Sequence, residues 1–358
     1  MINLLCVLGI LGAFATHSAR YEHQHELKHQ WEAKEDQQQQ PWRNASWRGQ
    51  DEDCFAHGTW VSAPPRAPPY PQKWGNCGVQ SKSGSESFWM PYAWRPTYQD
   101  AACARAVARA ESFEGLKPIC ERLGNRTVLF VGDSLSYEQW ESLVYLAGFS
   151  SAMIGGVEQR NTATKRSRRA SLCGEPKPGP GASSAQYIRN DRLQEYAQYI
   201  QEDGCSYCFP FWDAVAEFDV VVFNTGAHVQ PMVAAKQQFA AFVAALTAAY
   251  DGTEKKTFVY RTTVPGHPGC RLDRETNKTA GGQRPDVAKW PHGWEHIPPH
   301  NRFAVDLLRR KAPFVHILDA AIYSDSRPDR HNDRSDCLHY CQPGPVDWWN
   351  KVLLALLS

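Results

Sequence analysis

The run VLFVGDSLSYEQWESL, residues 128–143, decides the fold. Its first four residues, Val128 to Val131, are apolar without alternation. That pattern marks a strand buried on both faces rather than one with a wet side. Gly132-Asp133-Ser134 closes the run, and Leu135 to Ala147 reads as a helix. A buried strand, a tight turn and a helix make the opening of an α/β unit.

Outward from this stretch the pattern repeats. Val220-Val221-Val222-Phe223 is a second unbroken apolar run, closed by Asn224-Thr225-Gly226. A helix is predicted over Ala234 to Tyr250, with Phe239, Phe242, Val243 and Leu246 on one face. Thr257 to Arg261 and Phe314 to Leu318 read as two more strands, with helices near Asn301 to Lys311 and Val346 to Leu357. Alternating strands and helices predict an α/β fold over residues 127–358, a three-layer αβα sandwich with a mainly parallel sheet.

Two stretches interrupt the alternation. Residues 155–186, basic and then rich in Gly, Pro and Ser, read as a loop excursion. Within it Arg166, Arg168 and Arg169 read as solvated loop cations, with contact to an anionic acyl donor as the functional alternative. Residues 265–300 read as a long binding loop. Its histidines, His267, His292, His296 and His300, fit no metal-ligand spacing, so no metal centre is expected.

The N-terminal third has another character. Residues 1–15 carry an apolar run ending in Ala13-Phe14-Ala15, which predicts a signal peptide or a short signal anchor. A membrane enters only if that segment stays uncleaved. Residues 16–52, with the run Gln37 to Gln40, predict a flexible linker. Residues 53–126 predict a small lobe held by disulfides and aromatic packing, with little regular secondary structure. Of 11 cysteines Cys6 lies in the leader, leaving an even 11 − 1 = 10 for disulfides. Cys205 and Cys208 read as disulfide partners rather than metal ligands. Sequons at Asn44, Asn125 and Asn277 agree with passage through a secretory lumen. The formal net charge is +1, which excludes a global field for nucleic acid. Most of the 13 Trp residues read as core, a minority as stacking platforms for sugar rings.

Three polar clusters fall where strands end, the place where open α/β sheets gather their sites. Ser134 follows the first strand and begins a helix, where backbone N–H groups can face a developing oxyanion. Asn224 closes the second strand and is a candidate second oxyanion donor. Asp336 and His339 precede the last helix; their spacing lets a carboxylate hold Nδ1–H while Nε2 faces the serine. The triad assignment is Ser134 as nucleophile, His339 as general base then acid, and Asp336 as its orienting partner. Ser136 stands where a Gly-x-Ser-x-Gly elbow needs its second glycine, which argues against an ordinary α/β-hydrolase.

Together, Gly132-Asp133-Ser134, Asn224 and Asp336-x-x-His339 resemble the Ser/Gly/Asn/His hydrolase superfamily. More closely, the chain resembles the trichome-birefringence-like polysaccharide O-acetyltransferases. The stretches that carry this are VLFVGDSLSYEQWESL (128–143), VVFNTG (221–226), VYRTTVPGH (259–267) and DCLHYCQPGPVDWWN (336–350). Cys54, Gly58-Thr59-Trp60, Cys77, Trp94-Arg95-Pro96 and Cys103 extend it to most of residues 53–358. The resemblance implies an SGNH-like fold, a polysaccharide acceptor acetylated through an acetyl-serine at Ser134, and residence in the Golgi lumen or secretion. It implies no bound cofactor, only a small acetyl donor such as acetyl-CoA as co-substrate. Asp133, Arg261 and Gly226, within the same motifs, are candidate substrate contacts, and Arg261 reads equally as a structural residue. Gly155 and Gly156 are candidates for the superfamily's second-block glycine. The sequence departs from the family where Asn-Thr-Gly-His-Trp-Trp becomes Asn224-Thr225-Gly226-Ala227-His228-Val229 and Arg-Asn becomes Tyr137-Glu138.

Two other functions share these residues. A secreted carbohydrate acetylesterase would use the same triad with water as acceptor. A non-catalytic glycan-binding protein would have no need of an intact Ser134, Asp336 and His339.

Overall fold

The computed structural model describes residues 54–55, 58–62, 92–96, 101–148, 167–174, 182–194, 207–228, 232–267, 291–331 and 336–357. The expected leader, linker, Gly155, Gly156, Arg166, Cys205 and the His292 side chain lie outside them. Residues Gly49–Ser358 form one compact unit.

In chain order the elements are β1 (Gly58–Ser62), β2 (Tyr92–Pro96), α1 (Ala101–Ser112), α2 (Leu116–Leu123), β3 (Thr127–Gly132) and α3 (Ser134–Leu146). β4 (Ser167–Ser171), β5 (Ser184–Arg189), α4 (Trp212–Glu217), β6 (Val220–Phe223), α5 (Met232–Ala249) and β7 (Thr257–Arg261) follow. A 3₁₀ turn (Pro291–His296), α6 (Ile297–Lys311), β8 (Val315–Leu318), α7 (Ala320–Asp325), a second 3₁₀ turn (Pro328–Arg330) and α8 (Pro345–Leu356) complete the chain.

The main sheet has six strands in the order β4-β5-β3-β6-β7-β8. Every pairing is parallel except β4 with β5. Alternation along each strand splits the core in two. Val128, Phe130, Val220, Val222, Val259 and Leu318 face a cluster with α3 and α8. Leu129, Val131, Val221, Phe223, Phe258 and Tyr260 face a second cluster with α4, α5 and α6. The result is the expected αβα sandwich with a mainly parallel sheet. Strands buried on both faces account for the unbroken apolar runs.

Two expectations are corrected. Residues 155–186 are not all loop: β4 and β5 lie within 167–189, and β5 pairs directly with β3. SRRAS lacks an apolar run because β4 is an edge strand, and SAQYIR lacks one because Gln186 and Arg189 sit at half-buried positions of β5. Arg168 and Arg169 are strand residues, stacked over Tyr137 at 5.3 Å and Phe218 at 5.4 Å. The 54–126 region is also more regular than expected, with two helices and the antiparallel β1–β2 pair.

That region joins the first core rather than forming one of its own. Trp60, Trp94, Tyr323 and Trp348 meet edge to face, with centroids 5.3–6.0 Å apart, and Trp60 Nε1 donates to Tyr323 O. Disulfides Cys54–Cys103 and Cys120–Cys173 span 49 and 53 residues. Loops of that size correspond to about 4 kcal/mol each in the chain-entropy view. Cys208, Cys337 and Cys341 are bridged as well. No described Trp is exposed; the large exposed aromatic is Tyr207. Asn125, the sequon within the described residues, is exposed.

Candidate active site

The serine turn is built by the sheet. β3 lies between β5 and β6 and delivers Gly132 to the carboxyl edge. A Cβ at Gly132 would collide with Ser136 Oγ and Asn224 O, so the tight turn requires glycine there. Asp133 is the N-cap of α3 and accepts from the Leu135 N–H at 2.9 Å. Ser134 opens the helix, half-buried, with its hydroxyl outside the turn.

The Asp336–His339 pair comes from the loop before α8. His339 Nε2 lies 2.7 Å from Ser134 Oγ. His339 Nδ1 lies 2.8 Å from Asp336 Oδ2. Asp336 Oδ1 accepts from the backbone N–H groups of Leu338 and His339 at 3.2 and 3.1 Å. Burial works against ionising Asp336, but the His339 imidazole and those two N–H groups hold its carboxyl well below the usual carboxylate range. Burial likewise opposes the charged imidazole of His339. The facing carboxyls of Glu138 and Asp336 outweigh it and hold His339 up at about 9.

Glu138 is a functional neighbour that the motif reading missed. It lies one helical turn after Ser134, buried, with both carboxyl oxygens 3.3 Å from the Tyr340 N–H. Burial pushes its carboxyl up to about 8, against the pull of the His339 charge. Its place at i+4 from the serine was the available signal, since such residues share a helix face.

The remaining candidates occupy other positions than expected. The Asn224 amide does not point at the serine. Its Nδ2 donates to Arg261 O at 3.0 Å and Thr263 Oγ1 at 2.8 Å, so both hydrogens are committed. Arg261 is fully buried beneath the turn, donating to Thr262 O and Ser136 Oγ, its guanidinium 5.1 Å from the Trp349 ring centroid. Burial lowers it to about 10, with Asp133 pulling the other way. Gly226 has φ 156° and is pressed on Thr263, whose side chain a Cβ would strike. Asp133 is likewise buried. These four residues support the turn from below, and none is open to a substrate.

Of the candidate oxyanion donors, the Ser134 N–H has no hydrogen-bond partner among the described residues. The Leu135, Ser136 and Tyr137 N–H groups all donate to Asp133. Of the histidines expected on the loop, His300 lies instead in α6, buried against Phe239, and burial lowers it to about 4. His267 is buried in contact with His331. Among the described residues no cluster of three His, Cys, Asp or Glu could hold a metal ion.

Residues 227–356 match the PC-Esterase family, described as a GDSL/SGNH-like acyl-esterase family found in Pmr5 and Cas1p. The match includes Asp336 and His339 but begins after Ser134. The chain is 25% identical over 305 residues to Protein trichome birefringence-like 38 of Arabidopsis thaliana, covering 75% of this chain and 73% of that protein. It is 38% identical over 61 residues to Xyloglucan O-acetyltransferase 3 of Populus trichocarpa, 14% of this chain and 15% of that one. A solved structure titled as a putative platelet activating factor from Streptococcus pneumonia aligns with TM-score 0.34 at 13% identity, over 72% of this chain and all of that one. Residues 227–356 thus match the PC-esterase family, and the chain is similar over about three quarters of its length to trichome birefringence-like proteins.

Proposed function

We propose that this protein transfers acetyl groups to hydroxyls of a polysaccharide through an acetyl-serine at Ser134. The observation that carries the reading is the continuous line Ser134 Oγ, His339 Nε2, His339 Nδ1, Asp336 Oδ2, at 2.7 and 2.8 Å. A free serine hydroxyl is a poor nucleophile, and an adjacent base held by a carboxylate corrects that.

In the first half-reaction Ser134 Oγ attacks the acetyl carbonyl of the donor while His339 Nε2 takes the hydroxyl proton. The tetrahedral oxyanion faces the Ser134 N–H. His339 returns the proton to the leaving group, and the acetyl group stays on Ser134. In the second half a sugar hydroxyl attacks the acetyl-serine, with His339 again taking the proton and then passing it to Ser134 Oγ. Asp336 stays ionised throughout, orienting the ring and balancing the imidazolium. The donor, such as acetyl-CoA, is a co-substrate. The relatives named as xyloglucan acetyltransferases support a polysaccharide acceptor. The bridged cysteines support a site of action in the Golgi lumen or outside the cell.

The test is purified protein with a chromogenic acetyl ester, with and without deacetylated xylan, xyloglucan or other glycans, beside Ser134→Ala. Acetyl groups gained by the glycan with the parent alone support transfer and name the acceptor. Acetate released only to water replaces transfer with ester hydrolysis. A Ser134→Ala variant equal to the parent in both removes the triad, and a glycan-binding role takes its place.

A further inference from the structure

The loop carrying Asp336 and His339 is held from outside by two other histidines. The His267 N–H donates to Cys337 O at 2.8 Å. His331, bridged to Tyr340 across the loop, places Nδ1 3.0 Å from His339 O. The two rings also meet each other, His267 Nδ1 lying 2.7 Å from His331 Nε2. At the far end His267 Nε2 is 2.9 Å from Asp325 O. Both residues are buried, at 2% and 0% exposure.

The protons in this chain can be counted. A carbonyl oxygen only accepts, so His331 Nδ1 must carry a hydrogen toward His339 O, and His267 Nε2 one toward Asp325 O. Between the rings one nitrogen must donate and the other accept. Three protons therefore sit on the four ring nitrogens. Two neutral imidazoles supply only two. A neutral pair either sets two lone pairs face to face at 2.7 Å or releases one carbonyl.

We propose that His267 and His331 are positioning residues that share one extra proton, and that this charged pair clamps the His339 backbone so that its imidazole stays aimed at Ser134. Asp325 Oδ1, 3.9 Å from His267 Nε2, supplies a counter-charge. The Tyr340 ring lies against His331 with centroids 4.4 Å apart, and an aromatic face favours a cation. Arg327 and Arg330, buried on the intervening turn, work against the extra proton, while Asp336 lies on the clamped loop with His339. As pH rises the proton leaves to solvent, one bond in the chain breaks, and the hold on His339 O loosens. Misplacing a catalytic group by about 1 Å can cost about a hundredfold in rate.

The kinetic part rests on acyl transfer at Ser134; the proton count does not, and it is measured separately. In the full chain with ¹⁵N-labelled histidine, the two rings should together show three protonated nitrogens at pH 6. Two neutral rings at that pH overturn the proposal, whatever the enzyme's activity. With the chromogenic acetyl ester, His331→Ala should lower kcat by about 10- to 100-fold with KM nearly unchanged. His331→Asn puts a neutral amide donor where Nδ1 stands, so it should restore most of kcat and abolish the parent's alkaline decline. An unchanged kcat in the alanine variant, or the same decline in the asparagine variant, overturns the clamp. A parent with no ester turnover refutes the acyl-transfer reading instead, and the nitrogen signals alone then decide the pair.

Discussion

Ser134 and His339 are 205 residues apart in sequence and meet at 2.7 Å, yet they are held by different means. Ser134 stands at the end of a central strand, paired on both sides, and at the start of a 13-residue helix. Under it lies a closed network of Ser136, Asn224, Arg261 and Thr263. His339 stands on a loop without regular structure. What holds it arrives from distant segments: Glu138 on α3, His267 after β7, His331 after the second 3₁₀ turn, and the bridges at Cys337 and Cys341. Ser134, the proposed nucleophile, inherits its position from the fold, whereas His339, the proposed base, depends on individual side chains. Substitutions beneath the serine should therefore act on stability, and those around the histidine on rate and its pH dependence.

The largest effect tests whether the two regions act as one unit. Ser134→Ala and His339→Ala should each lower acetyl transfer by about 10⁴-fold or more, and the double variant should lose little beyond either alone. Steady-state rates on the chromogenic ester check this; additive losses would separate the two residues.

Next comes the support beneath the serine. Asn224→Ala removes two buried donors and strands their acceptors, which should destabilise the protein by about 2–3 kcal/mol. Since the amide faces away from Ser134, kcat in the folded variant should fall by no more than about threefold, well short of the hundredfold or so that a lost oxyanion donor costs. Thermal unfolding and kcat on one preparation decide between support and catalysis. Gly226→Ala should behave alike and less severely, at about 1–2 kcal/mol, because its methyl meets Thr263 in the same network.

The same division explains what was legible in the sequence. β3 and β6 announce themselves because a strand buried on both faces has to be apolar throughout. β7 and the edge strand β8, whose His316 is exposed, keep enough apolar residues to read as strands, and all four bounds agree with the structure to within about one residue. β5 does not, although it pairs with β3, because Gln186 and Arg189 interrupt its apolar residues at half-buried positions. The two helices of residues 101–123 escaped because a Cys- and Trp-rich composition suggested irregular packing. Ser134, Asp336 and His339 are local signals, a strand end and a spacing of three. Asn224 misled, because a strand-end amide looks the same whether it faces the substrate or, as here, Thr263 and the Arg261 carbonyl. Glu138 was visible only as an i+4 neighbour. The His267–His331 contact joins residues 64 apart and has no local signature.

The smallest effect is also the most specific to the histidine side. Glu138→Gln keeps the side-chain shape, and an amide oxygen can still accept from the Tyr340 N–H. What it removes is the carboxyl that, once ionised, opposes loss of the proton from His339. The general base acts only when neutral. Because His339 is held at about 9, its loss of a proton should give the parent an ascending rate limb toward that value, with the alkaline decline from the His267–His331 pair superimposed on it. The variant's imidazole should release its proton at lower pH, so that limb should move downward and the rate at pH 6.5 should rise roughly three- to tenfold. Stability should change in the matching sense. A base whose folded pKa exceeds its ordinary value stabilises the fold most below about 6.5, and that contribution is lost as pH rises through about 9. In the variant it should be smaller and lost earlier. The pH profile of kcat/KM beside unfolding midpoints at pH 6 and pH 9 measures both. A rate limb that stays in place would mean that Asp336 alone sets the basicity of His339 and that Glu138 serves only to hold the Tyr340 N–H.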